Sequence, residues 1–210
     1  MAKSQPRPEA AQRVLLAAVV AAGLLVLASG ALLFYAFRVT PHGAANSPLS
    51  AMIGGKFTLV DQDGKPFTDA DMKGKWQLVF FGYTHCPDVC PTTLNELSLA
   101  FDKLGPAARN KMGVIFVSVD PDRDTPAVLK EYVSSFSAPV TALTGTAAEV
   151  AQAAKDYRVY YAKHPTKDGG YDMDHSALIY VMDPEGRFTA TFAPDDPADK
   201  IVERMQKLLS

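Results

Sequence analysis

From Val14 to Phe37 the chain reads VLLAAVVAAGLLVLASGALLFYAF, 24 residues without a charge. No other feature limits the fold so strongly. At about 1.5 Å per residue a helix of that length crosses a hydrocarbon core of roughly 30 Å. The sequence therefore predicts one transmembrane helix over residues 14–37. Lys3, Arg7 and Arg13 stand before it against the single acid Glu9, and a basic flank is normally retained in the cytoplasm. Residues 1–13 are then cytoplasmic and the rest of the chain is exported, in a bacterium to the periplasmic side of the inner membrane. A cleaved signal peptide is the rival, because Ala28-Ser29-Gly30 resembles a small-residue cleavage site. The apolar run continues through Leu32, Leu33, Phe34, Tyr35 and Phe37, which suits a permanent anchor better.

Residues 38–55 are rich in small side chains, include Pro41 and Pro48, and are expected to form a flexible linker. Residues 56–210 are long enough for one well-cored domain. Beyond residue 37 lie 18 of the 21 basic and 22 of the 23 acidic side chains, with no basic cluster. That balance argues against nucleic acid as a partner.

Within the domain, FTLVDQDGKPFTD alternates about Asp61-Gln62-Asp63-Gly64 as a hairpin does. Gln77–Tyr83 and Gly113–Val119 are continuous apolar runs of the kind that form buried central strands. Leu94, Leu97, Phe101 and Leu104 recur at helical spacing until Gly105-Pro106, and Thr125-Pro126 opens a second helix towards Ser135. A short strand over 140–143, a helix over 146–157, a hairpin over 176–192 and a helix over 197–209 complete the pattern. Strands interleaved in this way predict an α/β thioredoxin-like fold with an extra N-terminal β-hairpin. The segment 160–174 shows no periodicity, carries Gly169-Gly170, and is expected to be a long, mobile loop.

The only cysteines, Cys86 and Cys90, lie in FGYTHCPDVCPTTL, each followed by proline. In an exported domain they tend to oxidise, yet a bridge closing so short a segment adds little stability. Starting the helix near Pro91 avoids a proline in its interior. Cys90 is then at the helix mouth and Cys86 on the preceding loop, giving two thiols of low pKa at one opening. Pro87-Asp88-Val89 separate them, one residue more than in thioredoxin-type redox sites. Such a loop can close a disulfide or hold two sulfurs around an ion. A thiolate pair with one imidazole suits copper, Cu(I) above all, whereas structural zinc would call for a set of four ligands that is absent here.

Four histidines could supply the imidazole. In a thioredoxin-like topology the loop before the second hairpin lies against the cysteine loop, which makes His175 the candidate; a surface histidine in a hydrogen-bonded turn is the plainer alternative. His85 should point to the opposite face from Cys86. His164 and His42 are expected to be solvated. Asp88 and Asp174 flank the site, as ligand-orienting groups or as solvated loop carboxylates. Asp120, Asp122, Asp124 and Glu131 match four positions of a calcium loop, but Thr125 stands where glycine is needed and two prolines stiffen the segment, so turn and cap chemistry is preferred.

GYTHCPDVCPTTL, VSVDPDRDTP and YDMDHSALIYVMDPEGRF closely resemble, in order and separation, the signatures of the Sco (SenC) family, over about Gly54 to Leu209. The resemblance implies a membrane-anchored thioredoxin-fold protein that helps assemble the CuA centre of cytochrome c oxidase. It places the family's copper ligands on Cys86, Cys90 and His175. What it implies of function is a copper chaperone, not an enzyme, that delivers Cu(I) or Cu(II) to the CuA-bearing subunit and is itself served by a copper donor or thiol reductant. Two alternatives remain: a thiol–disulfide reductase acting on that subunit's cysteines, which shares Cys86 and Cys90 but does not need His175, and a copper or redox sensor using the same residues.

Overall fold

The computed structural model describes Arg13, residues 18–25, residues 28–30 and residues 53–209. Among these, no helix is long and apolar enough to cross a membrane; the span expected over 14–37 and the linker expected over 38–55 lie largely outside them. The chain divides into two units, Met1–Gly43 and Ala44–Ser210, and the folded domain lies in the second.

A hairpin of β1 (Thr58–Asp61) and β2 (Pro66–Thr68) opens the domain. The Asp61 carboxylate accepts from the backbone N–H groups of Asp63 and Lys65, and Gly64 takes the positive φ the turn requires. Then follow β3 (Trp76–Gly82), α1 (Val89–Leu104), α2 (Pro106–Lys111), β4 (Met112–Ser118), α3 (Pro126–Val133), β5 (Val140–Thr144) and α4 (Ala147–Asp156). A small hairpin, β6 (Tyr161–Pro165) with β7 (Tyr171–His175), precedes β8 (Ile179–Met182), β9 (Phe188–Phe192) and α5 (Ala198–Leu209). The main sheet has seven strands in the order β2-β1-β5-β4-β3-β8-β9. Its centre, β3-β4-β5, is parallel, and every other pairing is antiparallel.

The apolar runs of β3 and β4 follow from burial on both faces. Leu78, Phe80 and Phe116 pack with Leu94, Leu97 and Phe101 of α1, Leu129 of α3, and Ile201 and Met205 of α5. Val79, Phe81, Ile115 and Val117 face the other way, against Val150 and Ala153 of α4, Tyr157 and Tyr180. Side-chain alternation along a strand thus sends one sequence run into two cores.

The structure corrects one expectation and refines two. First, 160–174 is not an irregular loop but mostly the hairpin β6–β7, paired from Tyr161 with His175 to Pro165 with Tyr171. Its strands are largely polar and only Met173 is buried, so the alternation that marks a half-buried strand is missing. Second, α1 begins at Val89 rather than Pro91. Pro91 still lies in the first turn, where a backbone N–H has no partner inside the helix, so it breaks nothing. Third, Gly105-Pro106 ends α1 and also starts the short helix α2, with Pro106 at its first position.

Candidate metal centre

The C-terminal end of β3 is the floor of the site. After Gly82 the chain leaves the sheet, carries Cys86 on a short loop and turns into α1, so that Cys90 sits in the first helical turn. The Cys90 backbone N–H donates to Cys86 Sγ at 3.4 Å. His175 ends β7, and its Nε2 lies 3.6 Å from Cys90 Sγ. The ligand atoms of Cys86, Cys90 and His175 all lie within 4.8 Å of one another. Among the described residues no other group of three His, Cys, Asp or Glu side chains is placed to hold an ion.

Both cysteines are free; Cys90 is buried and Cys86 half-buried. The structure departs here from two equivalent low-pKa thiols. The Cys90 thiol donates to the Cys86 sulfur and holds Cys86 down to about 3, against the opposing effect of burial. The same contact, reinforced by burial, pushes the Cys90 thiol well above its ordinary range. The two thiols are thus driven apart, the accessible sulfur towards thiolate and the buried one towards thiol.

The imidazole is fixed in rotation. Its ring meets Phe80 edge-on with centroids 6.3 Å apart, and Tyr83 at 89° with centroids 5.7 Å apart. Its Nδ1 lies 3.2 Å from the carbonyl oxygen of Ser176. A carbonyl only accepts, so Nδ1 is the donor there and Nε2 is the nitrogen turned towards the sulfurs. Two sulfurs and one imidazole nitrogen form a soft, three-donor set of the kind that suits copper.

Two contributors escaped the sequence. Gly82 lies directly under the thiol: a Cβ there would come within 2.7 Å of Cys90 Sγ and 2.8 Å of the Phe116 ring. The G-Y-T-H-C order marks the position, but only the packing shows that its missing side chain makes the room. Thr84, two residues before Cys86, donates to Asp124 through its hydroxyl at 2.6 Å and through its backbone N–H at 3.0 Å. Asp124 is buried and also accepts from the Ser118 hydroxyl at 2.6 Å.

The remaining candidates stand apart from the group of three. His85 is exposed, with its Nδ1 3.1 Å from the Thr84 hydroxyl. His164 is on β6 and pairs across the hairpin with Asp174 at 2.8 Å. Asp88 is the residue before α1 and makes no side-chain cap. His42 lies outside the described residues. Asp120, Asp122 and Asp124 are each engaged by protein groups, Arg123, Lys163 and Thr84 among them.

The SCO1/SenC family model matches residues 45–210, nearly the whole of the folded unit. The chain belongs to this family. Among its relatives, the mitochondrial SCO1 homolog 1 of Arabidopsis thaliana is 40% identical over 157 residues, which cover 75% of this chain and 47% of that protein. This Sco-family chain thus spans about half the length of the curated relatives it matches. ScoI of Bradyrhizobium japonicum, solved with copper bound, is 51% identical with a TM-score of 0.69, covering 74% of this chain and 98% of that one. BsSco, a member of the Sco family of cytochrome c oxidase assembly proteins in which a disulfide switch was identified, is 26% identical with a TM-score of 0.57, covering 72% of this chain and 90% of that one. The thioredoxin-like α/β domain is shared with these solved Sco structures.

Proposed function

We propose that this domain carries copper on Cys86, Cys90 and His175 and hands it to the CuA-bearing subunit of cytochrome c oxidase during assembly. The observation that carries the reading is the convergence of those three ligand atoms within 4.8 Å; the copper-bound relative supports the choice of ion. Copper is cargo here. The half-buried Cys86 thiolate is the group an incoming donor or acceptor reaches first, while Cys90 and His175 are held by packing, so transfer proceeds by ligand exchange through the accessible sulfur. Residues 14–37 anchor the domain in the membrane, and the basic N-terminal flank leaves it on the exported, periplasmic side.

A reductase reading is favoured by one observation, the division into an accessible thiolate and a buried, protonated thiol. Cys86 would attack a partner disulfide, freeing one partner thiolate and leaving the other sulfur bound to Cys86 as a mixed disulfide; Cys90, giving up its proton, would then attack Cys86 Sγ and displace that second partner sulfur. The partner leaves as a dithiol, and Cys86–Cys90 becomes a disulfide that an upstream thiol reductant must restore. The variant His175→Ala separates the readings. A chaperone loses strong Cu(II) binding and fails to restore CuA content in membranes of a deletion strain, yet keeps its thiol chemistry; a pure reductase restores CuA. Near-normal CuA content alongside lost Cu(II) binding would sink the transfer reading.

A further inference from the structure

The turn between β4 and α3, Asp120-Pro121-Asp122-Arg123-Asp124, has no part in the metal group itself, yet it grips both segments that carry the ligands. On the cysteine side the grip is Asp124 on Thr84. On the histidine side it is Arg123. The Arg123 guanidinium lies 3.9 Å from the centroid of the Tyr171 ring, donates through Nη1 to the Tyr171 carbonyl at 3.1 Å, and is ion-paired through Nε with buried Asp120. The Tyr171 hydroxyl donates back to Asp120 at 2.8 Å. Lys163 of the neighbouring strand β6 places its ammonium 4.0 Å from the same ring and pairs with Asp122 at 2.6 Å. Tyr171 is thus contacted by two cations, each tethered to the same turn.

Tyr171, Met173 and His175 lie on one face of β7, since side chains two and four apart share a face. Beyond the turn's grip the hairpin has only modest burial of its own: Met173 alone is buried among its ten strand residues. Arg123 also lies 5.9 Å from the centroid of Tyr83, the ring that meets His175 edge-on.

We infer that Arg123 and Asp120, with Tyr171, are positioning residues that set the distance between the imidazole and the two sulfurs. Asp124 holds the cysteine loop and Arg123 holds the histidine hairpin, so one rigid turn spans the two halves of the site. Loosening the Arg123 side frees His175 while leaving Cys86 and Cys90 where they are. The inference rests on the copper reading for its metal consequence but not for its structural one.

The test is Arg123→Met in the copper-free, reduced domain. Amide hydrogen exchange at Met173, Asp174 and His175 should quicken by about tenfold or more, while exchange in β3 and α1 is unchanged. Cu(II) affinity should fall by a similar factor with the imidazole-nitrogen signature lost from the Cu(II) spectrum, and Cu(I) uptake by the two thiolates should persist. On a His175→Ala background, Arg123→Met should cause no further loss of Cu(II) affinity, because the group it positions is already gone. Unchanged exchange in the hairpin, or an equal further loss on the His175→Ala background, overturns the inference. If the parent domain binds no copper, the copper reading fails, and the exchange measurement still decides the clamp. Should Arg123→Met unfold the domain, Tyr171→Phe, which deletes only the hydroxyl given to Asp120, must speed hairpin exchange selectively or the inference falls.

Discussion

Cys86 and Cys90 differ by burial and by which sulfur keeps its proton, and the difference has a pH signature. With Cys86 lowered from 9.0 to about 3, the unfolded chain binds a proton at this thiol between those values that the folded chain does not. Its contribution to stability therefore rises with pH across that window and is lost as pH falls through it. Cys90, raised from its ordinary value, acts oppositely: above pH 9.0 the unfolded chain releases a proton that the folded chain keeps, so its contribution falls as pH rises. Alkylation of the reduced domain, followed on the two cysteines by mass spectrometry, tests the assignment. Cys86 should react at a nearly constant rate from about pH 5 to 8, where an ordinary thiol gains about tenfold per pH unit, and Cys90 should stay unmodified throughout. Parallel pH profiles with a common midpoint near the ordinary thiol value would overturn it.

The elements that build the site differ in how visible they are. Strand β3 and helix α1 are dense with apolar residues at the proper periods, and the chemistry between them is bounded by prolines. Pro91 sits at the third residue of α1, where its missing N–H was never needed. Pro91→Ala should therefore change unfolding free energy by less than about 1 kcal/mol, against about 3 kcal/mol for a proline that disrupts a helix interior. Urea denaturation of the two proteins reads this directly. A gain or loss of several kcal/mol would show that the proline, rather than the β3–α1 packing, shapes the helix mouth. The β6–β7 hairpin is the opposite case. Its stability comes from Tyr171, Lys163 and their partners on the distant turn 120–124, so no periodicity within 160–174 announces it.

At the scale of the whole molecule, the proposed anchor and the folded domain are tested by different measurements. If residues 14–37 span the membrane with the basic flank in the cytoplasm, as proposed, the chain should remain in the membrane after alkaline carbonate extraction, and external protease should reach the domain in spheroplasts. A soluble mature chain beginning near Ala31 would replace the anchor by a signal peptide. By itself the sequence determined the α/β alternation, the buried central strands, the N-terminal hairpin and the cysteine pair, because each is written in periods of two or 3.6 residues, in turn chemistry, or in adjacent residues. Its motifs also singled out His175, through resemblance and expected topology, and the fold brings that residue within 4.8 Å of the two sulfurs. Only the tertiary structure decided that Cys86 and Cys90 are unequal, that Gly82 leaves room for a sulfur, and that the segment before His175 is a clamped hairpin. The physical reason is common to all three. Burial, close approach and charge pairing depend on groups brought together from distant positions: Gly82 against Cys90 and Phe116, Thr84 against Asp124, and Arg123 against Tyr171. No local pattern carries such distances; they exist only once the chain has closed on itself.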